Sequence, residues 1–145
     1  MSVYLPARRP LAVTLVILGV ILFGLWNVSK AIALAQNMAL LSSRGIQPAP
    51  GLQLAVAIVW AVLFLGMAGL LVKRRPFTRI GVPALILGFG LYTLGIRLLF
   101  SPLPVRQQGD WFITGTFFLG MTVLAAIALE RGWKNNYYKE RSEDT

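Results

Sequence analysis

Long blocks of apolar residues, with no apolar–polar alternation inside them, set the pattern of this chain. A hydrocarbon core of about 30 Å is crossed by about 20 helical residues. Residues 52–72, 80–100 and 111–129 each form a run of that length, and Leu11 opens a fourth that stays apolar to Trp26. Barrel strands would be about 10 residues long with alternating polarity, which none of these runs shows. The pattern predicts an all-α polytopic membrane protein: one domain over residues 1–145, folded as a four-transmembrane-helix bundle. Its spans are 11–30, 52–72, 80–100 and 111–129, followed by a cytoplasmic basic tail over 130–145.

The first span has a second part. From Val28 onward, Val28, Ile32, Ala35 and Ala39 share one helical face, and Asn27, Lys30 and Asn37 another. No Pro or Gly interrupts residues 26–41, so the helix is expected to run on to about residue 41. Gly45 then lies in its C-cap region, and Pro48 and Pro50 prevent continuation. A basic Arg8-Arg9 pair, an apolar stretch and Ala33-Leu34-Ala35 also resemble a secretory signal. The stretch is long for that role, and Asn27, Ser29 and Lys30 intervene before the cleavage pattern. A retained anchor is the expectation.

Composition agrees with lipid as the solvent. Hydrophobic residues make up 57% and charged residues 13%, against about 45–50% and about 25% in soluble domains. The net charge of +9 is unevenly placed. Arg8, Arg9, Lys73, Arg74, Arg75, Arg79, Arg131, Lys134, Lys139 and Arg141 fall on one side of a four-span topology. Lys30, Arg44, Arg97 and Arg106 fall on the other. The positive-inside rule places both termini in the cytoplasm. It makes Lys73, Arg74, Arg75 and Arg79 a basic cluster facing anionic lipid. No aromatic-interleaved basic surface stands outside the bilayer, so no nucleic-acid partner is expected. A prokaryotic plasma membrane suits such compact spans. Trp111 and Phe112 would anchor one interface, and Trp133, Tyr137 and Tyr138 the other.

Two short motifs recur in order. Phe23-Gly24-Leu25-Trp26-Asn27 parallels Phe89-Gly90-Leu91-Tyr92-Thr93, and Phe64-Leu65-Gly66-Met67 parallels Phe118-Leu119-Gly120-Met121. The chain can be read as two helical hairpins related by a pseudo-two-fold axis along the membrane normal. Chance matches among so few residue types give the competing reading. Gly81, Gly88 and Gly95, spaced by seven, and the Ala57–Ala61 pair are the expected helix-packing positions. Pro83 is expected near enough to a helix start for its missing N–H to cost little. Asp110 is expected to N-cap the last span.

Chemistry is sparse. Cys and His are absent, which removes thiolate chemistry, zinc sites of the usual ligands and the commonest general base. No metal or cofactor is implied, and no enzymatic constellation is visible. The chain resembles small four-helix multidrug exporters in span number alone. Such proton-coupled carriers rely on an intramembrane carboxylate; here Asp110, Glu130, Glu140, Glu143 and Asp144 all lie at or beyond span ends. One candidate site remains, an anion or lipid-headgroup site at the outer interface. It comprises Lys30, Arg97 and Arg106, with Asn27, Tyr92 and Asp110 as polar neighbours. Arg97 lies about one turn inside its span, so it can snorkel, pair with Asp110 or hold an anion.

Two functions are consistent with this inventory. The first is an accessory or assembly subunit that packs on a larger membrane partner, or on itself, and carries no chemistry. The second is a carrier or binding protein for a lipid-like or anionic molecule. A polar cavity reaching the midplane between the halves would favour the second, and a solid interior the first.

Overall fold

The computed structural model describes residues 10–45, 48–100 and 110–134. It contains α1 (Leu11–Gln36), α2 (Met38–Ser43), α3 (Pro50–Val72), α4 (Thr78–Phe100) and α5 (Asp110–Lys134). Among the described residues, four of these helices are long and apolar enough to cross a membrane. The chain is a four-helix membrane bundle, as the apolar runs predict.

The helix boundaries have local causes. Pro50 occupies the first turn of α3, where its missing N–H is no loss. Gly45 takes a left-handed φ of 61° after α2, as its position implies. The extension of the first span is helical to Ser43 but not continuous. Asn37 gives both its backbone N–H (3.2 Å) and its side-chain amide (2.9 Å) to the Ala33 carbonyl. That competition breaks the helix between Gln36 and Met38. α3 ends in a Schellman arrangement: Arg75 N–H donates to the Leu70 carbonyl and Arg74 N–H to that of Leu71, both at 3.1 Å. Arg74 fills the left-handed position at φ 56°. Thr78, fully buried, opens α4 and donates its hydroxyl to the Arg75 carbonyl at 2.7 Å.

Three expectations need correction. α4 starts two residues early, so Pro83 falls in its second turn and withholds a hydrogen bond from the Arg79 carbonyl. Asp110 lies inside the first turn of α5, not ahead of it; its charge still complements the positive helix end. α5 also runs past residue 129 to Lys134, because Leu129 and Gly132 are buried and hold the extra turn to the bundle.

Packing follows a coiled-coil seam. The buried residues of α1 are Val13, Ile17, Val20, Gly24 and Asn27, and those of α3 include Ala57, Ala61, Phe64, Ala68 and Leu71. Both sets alternate steps of four and three, the spacing that keeps one face on a neighbour in left-handed packing. α1 packs chiefly on α3 and α4 chiefly on α5, so the bundle is two tight hairpins joined by lighter contacts. Phe23, Phe64, Phe89 and Phe118, one from each spanning helix, meet at its centre; Phe23 lies 5.4, 5.9 and 6.0 Å from the other three ring centroids.

Ala57 and Ala61 are buried, as expected. The seven-spaced glycines behave differently from one another. A Cβ on Gly81 would meet the Met67 methyl at 3.0 Å, one on Gly88 would sit 3.7 Å from Trp60, and one on Gly95 would meet nothing within 4 Å. The closest helix approaches are instead at Gly24 against Leu65, Gly90 against Phe118 and Gly132 against Val13.

The Val13–Gly132 contact puts the start of α1 and the end of α5 at one end of the bundle, with the α3–α4 turn. This is the basic end. Arg79, expected with its neighbours to face lipid headgroups, turns to α5: it donates to Glu130 at 2.8 Å and lies 5.5 Å over the Trp133 ring. Both partners of the ion pair remain partly exposed, so screening leaves it worth under about 1 kcal/mol. Arg79→Glu should lower stability by that small amount, and the exchange Arg79→Glu with Glu130→Arg should restore it. A double-mutant cycle by dodecyl sulfate titration reads this coupling.

Candidate functional site: a cation-rimmed cavity between the hairpins

Beyond the central phenylalanines the first hairpin still buries Asn27 and Ala57, but the second contributes nothing to the core. No residue of α4 beyond Gly90 is buried, and none of α5 before Phe118. There the second hairpin stands away from the first and borders an open-sided cavity of about 770 Å³, with the exposed Leu22 and Trp26 at its side. Phe23, Phe89 and Phe118 form its floor, and Lys30 and Arg97 its rim. On the α1–α5 side the floor is open, and the cavity reaches past it to Gly19 and Met121. From Lys30 down to Gly19 is about 16 Å at about 1.5 Å per residue, close to half the hydrocarbon thickness.

Helix periodicity accounts for the lining of the α1 wall. Phe23, Asn27 and Lys30 are four and three residues apart and project from one face of α1. On α4, Phe89, Tyr92, Thr93 and Ile96 do the same, with Arg97 beside them. Thr114, Phe117, Phe118 and Met121 complete the wall from α5.

Asn27 is the polar centre. Expected as a polar neighbour of the site, it is only 2% exposed. Its Nδ2 donates to the Phe23 carbonyl at 2.8 Å. That bond identifies the nitrogen and leaves Oδ1 as an acceptor with no partner among the described residues. Thr93, at the matching place in the second hairpin, donates to the Phe89 carbonyl at 2.8 Å.

Among the described residues Arg97 makes no ion pair with the Asp110 carboxylate. Its Nη1 donates to the Thr114 hydroxyl at 3.0 Å, and that hydroxyl donates to the Asp110 carbonyl at 2.8 Å. The Asp110 carboxylate has no part in this chain, and Asp110 does not line the cavity. Lys30 makes no ion pair among the described residues. Of the predicted site, Lys30, Arg97, Asn27 and Tyr92 come together, Asp110 stands aside, and Arg106 lies outside the described residues. Tyr137 and Tyr138 lie outside them as well.

The sequence reading missed Thr114. Its signal was available: it precedes Phe118 by four residues, as Trp60 precedes Phe64 in the parallel motif. It missed Gln53 too, whose amide donates to the Pro48 carbonyl at 2.6 Å beside the cavity.

A second chamber of about 300 Å³ continues down the α1–α5 cleft and shares Gly19, Phe23 and Met121 with the first. It is lined only by apolar residues and Gly19.

Comparison with protein-family models, curated proteins and solved structures finds no match. The site's own geometry therefore carries the functional argument. It has two cations, an amide oxygen with no partner among the described residues, and a phenol hydroxyl above an aromatic floor. That set can bind and orient an anion attached to an apolar body.

Proposed function

We propose that the chain is a binding protein or carrier for a lipid-like molecule with an anionic head. The observation that carries this reading is the cavity of about 770 Å³ between the hairpins, apolar at its floor and rimmed by Lys30 and Arg97. Ligand pockets are commonly about 300–1,000 Å³ and mostly apolar, with a few fixed polar groups. The Asn27 oxygen supports the same reading, since a buried acceptor left unpaired costs about 1–3 kcal/mol. A head group bearing a hydroxyl would recover that loss.

Hairpin duplication gives the site a rationale. Asn27 and Thr93 bond the carbonyls of aligned phenylalanines, and Gly24 and Gly90 admit the second helix of their own hairpins. The basic end is assigned to the cytoplasm, with both termini, in a prokaryotic plasma membrane. The cavity then opens toward the outer leaflet.

The test is retention of hexadecyl phosphate by protein in phosphatidylcholine nanodiscs, read by native mass spectrometry against hexadecylphosphocholine. The phosphate should be preferred. Hydrogen bonds to charged groups contribute about 1.5–3 kcal/mol each, so Lys30→Gln with Arg97→Gln should weaken its retention at least about tenfold. Equal retention by the double variant would overturn the reading.

The accessory-subunit reading keeps one favouring observation. Only 11% of the most apolar window of α5 is buried, the lowest share of the four spans. A partner helix would cover that face, and stoichiometric co-purification in mild detergent is its test.

A further inference from the structure

We infer that the ligand is a single-chain anionic amphiphile: its head sits between Lys30 and Arg97, and its one chain lies down the α1–α5 cleft through the throat at Gly19 and Met121. This rests on the binding reading above and deepens it.

The two chambers give the path. They share Gly19, Phe23 and Met121, so a molecule leaving the upper chamber along α1 enters the lower one directly. Polarity changes along that path. Lys30, Arg97, Asn27 and Tyr92 surround the upper part, while Leu15, Val16 and Val20 line the lower. A charged head with an apolar tail matches that gradient in one orientation only. Length agrees as well. One leaflet, half of a core of about 30 Å, is one acyl chain deep, about 15 Å. From Asn27 to Val16 is about 16 Å at about 1.5 Å per residue.

The chain count comes from the opposite cleft. Under the hairpin alignment, the counterpart of Thr114 is Trp60. Thr114 leaves the α1–α5 side open, whereas the Trp60 indole lies 5.1 Å from Phe89 and 5.8 Å from Tyr92, ring to ring. The indole occupies the space between α3 and α4 where a second chain would descend. Between the hairpins a diacyl lipid finds one open cleft for its two chains, so the second must lie outside the bundle, on the outer face of α5 where Phe112, Thr116 and Gly120 line a shallow groove.

The experiment uses the full chain in phosphatidylcholine nanodiscs, with native mass spectrometry of retained ligands. Wild type should retain lysophosphatidic acid with its free hydroxyl methylated, which removes any donor to Asn27, at least about tenfold over phosphatidic acid, which has the same phosphate and two chains; a tenfold ratio corresponds to about 1.4 kcal/mol. Gly19→Leu tests the throat. A Cβ at this position meets nothing within 4 Å, and Gly19 lines both chambers, so the larger side chain is expected to narrow the passage between them. This variant should lose hexadecyl phosphate at least about tenfold yet keep octyl phosphate, whose chain ends above the throat.

Equal retention of phosphatidic acid and the methylated lyso form would overturn the single-chain inference and leave the anionic-lipid reading standing. An equal effect of Gly19→Leu on both alkyl phosphates would overturn the throat. Failure of wild type to retain any of these anions would remove the binding reading itself.

Discussion

Phe64→Ala should destabilise the bundle by about 3 kcal/mol while leaving its helix content unchanged. Phe64 is fully buried, with its ring centroid 5.4 Å from Phe23, 5.3 Å from Phe89 and 6.0 Å from Trp60. It therefore joins the α1–α3 hairpin to α4 at the place where contacts between hairpins are otherwise light. In water such a truncation loses both transfer energy and packing. In lipid the separated helices are already in an apolar solvent, so the transfer contribution shrinks and the unfilled cavity carries the cost. Each helix keeps its own backbone hydrogen bonds in the bilayer, which is why helicity should survive. The expected result is unchanged far-ultraviolet dichroism, weakened near-ultraviolet aromatic dichroism and a transition at lower dodecyl sulfate fraction. Phe112→Ala, at a residue 64% exposed on α5, should shift that transition little. Comparable shifts for both would remove the aromatic centre from its assigned role.

Span number was legible in the residues, as were the ends at Val72 and Phe100, because backbone and bilayer physics act locally. A run of about 20 apolar residues must be helical to satisfy its peptide groups in lipid. Pro50 and Gly45 act through φ, and those effects do not depend on tertiary contacts. The Asn37 break depends on a side chain competing with the backbone for the Ala33 carbonyl, and helix propensity alone does not reveal that.

Which face of each helix turns inward was much less legible. In water, polarity marks the outside; here Leu22 is 65% exposed and Val20 is 1% exposed, and the two are chemically alike. Asn27 shows the difficulty from the other side. It shares a helical face with the exposed Asn37, yet in lipid a polar side chain is better placed inward, where it can bond a carbonyl and border a cavity. Lys30 and Arg97 were recognisable because a charge within a span restricts its own position. Thr114 was not, since one hydroxyl in an apolar run can bond its own helix and be satisfied anywhere. The cavity lies where the hairpins leave α4 beyond Gly90 and α5 before Phe118 without a buried residue, a relation between helices that no single position announces.

The glycines of α4 provide the sharpest separation between a sequence pattern and actual contact. Gly90→Ala should destabilise the α4–α5 hairpin by about 2 kcal/mol, within the usual range of core overpacking. A Cβ there would lie 2.6 Å from the Phe118 Cβ and 2.8 Å from its Cγ. The Phe118 Cβ is fixed to the α5 backbone and no rotamer moves it, so the two helices must separate. The same substitution at Gly24 meets the Leu65 Cδ2 at 2.7 Å and Cγ at 2.8 Å. A leucine side chain can turn away, and the loss there should be smaller. Gly95→Ala meets open space and should be neutral or slightly stabilising, since alanine exceeds glycine in helix propensity by up to about 1 kcal/mol. The order of transition midpoints on dodecyl sulfate titration should be Gly95→Ala highest, then Gly24→Ala, then Gly90→Ala. If Gly95→Ala proved as damaging as Gly90→Ala, the seven-spaced stripe of Gly81, Gly88 and Gly95 would be the true packing face of α4, and the helix would have to be rotated away from Phe118.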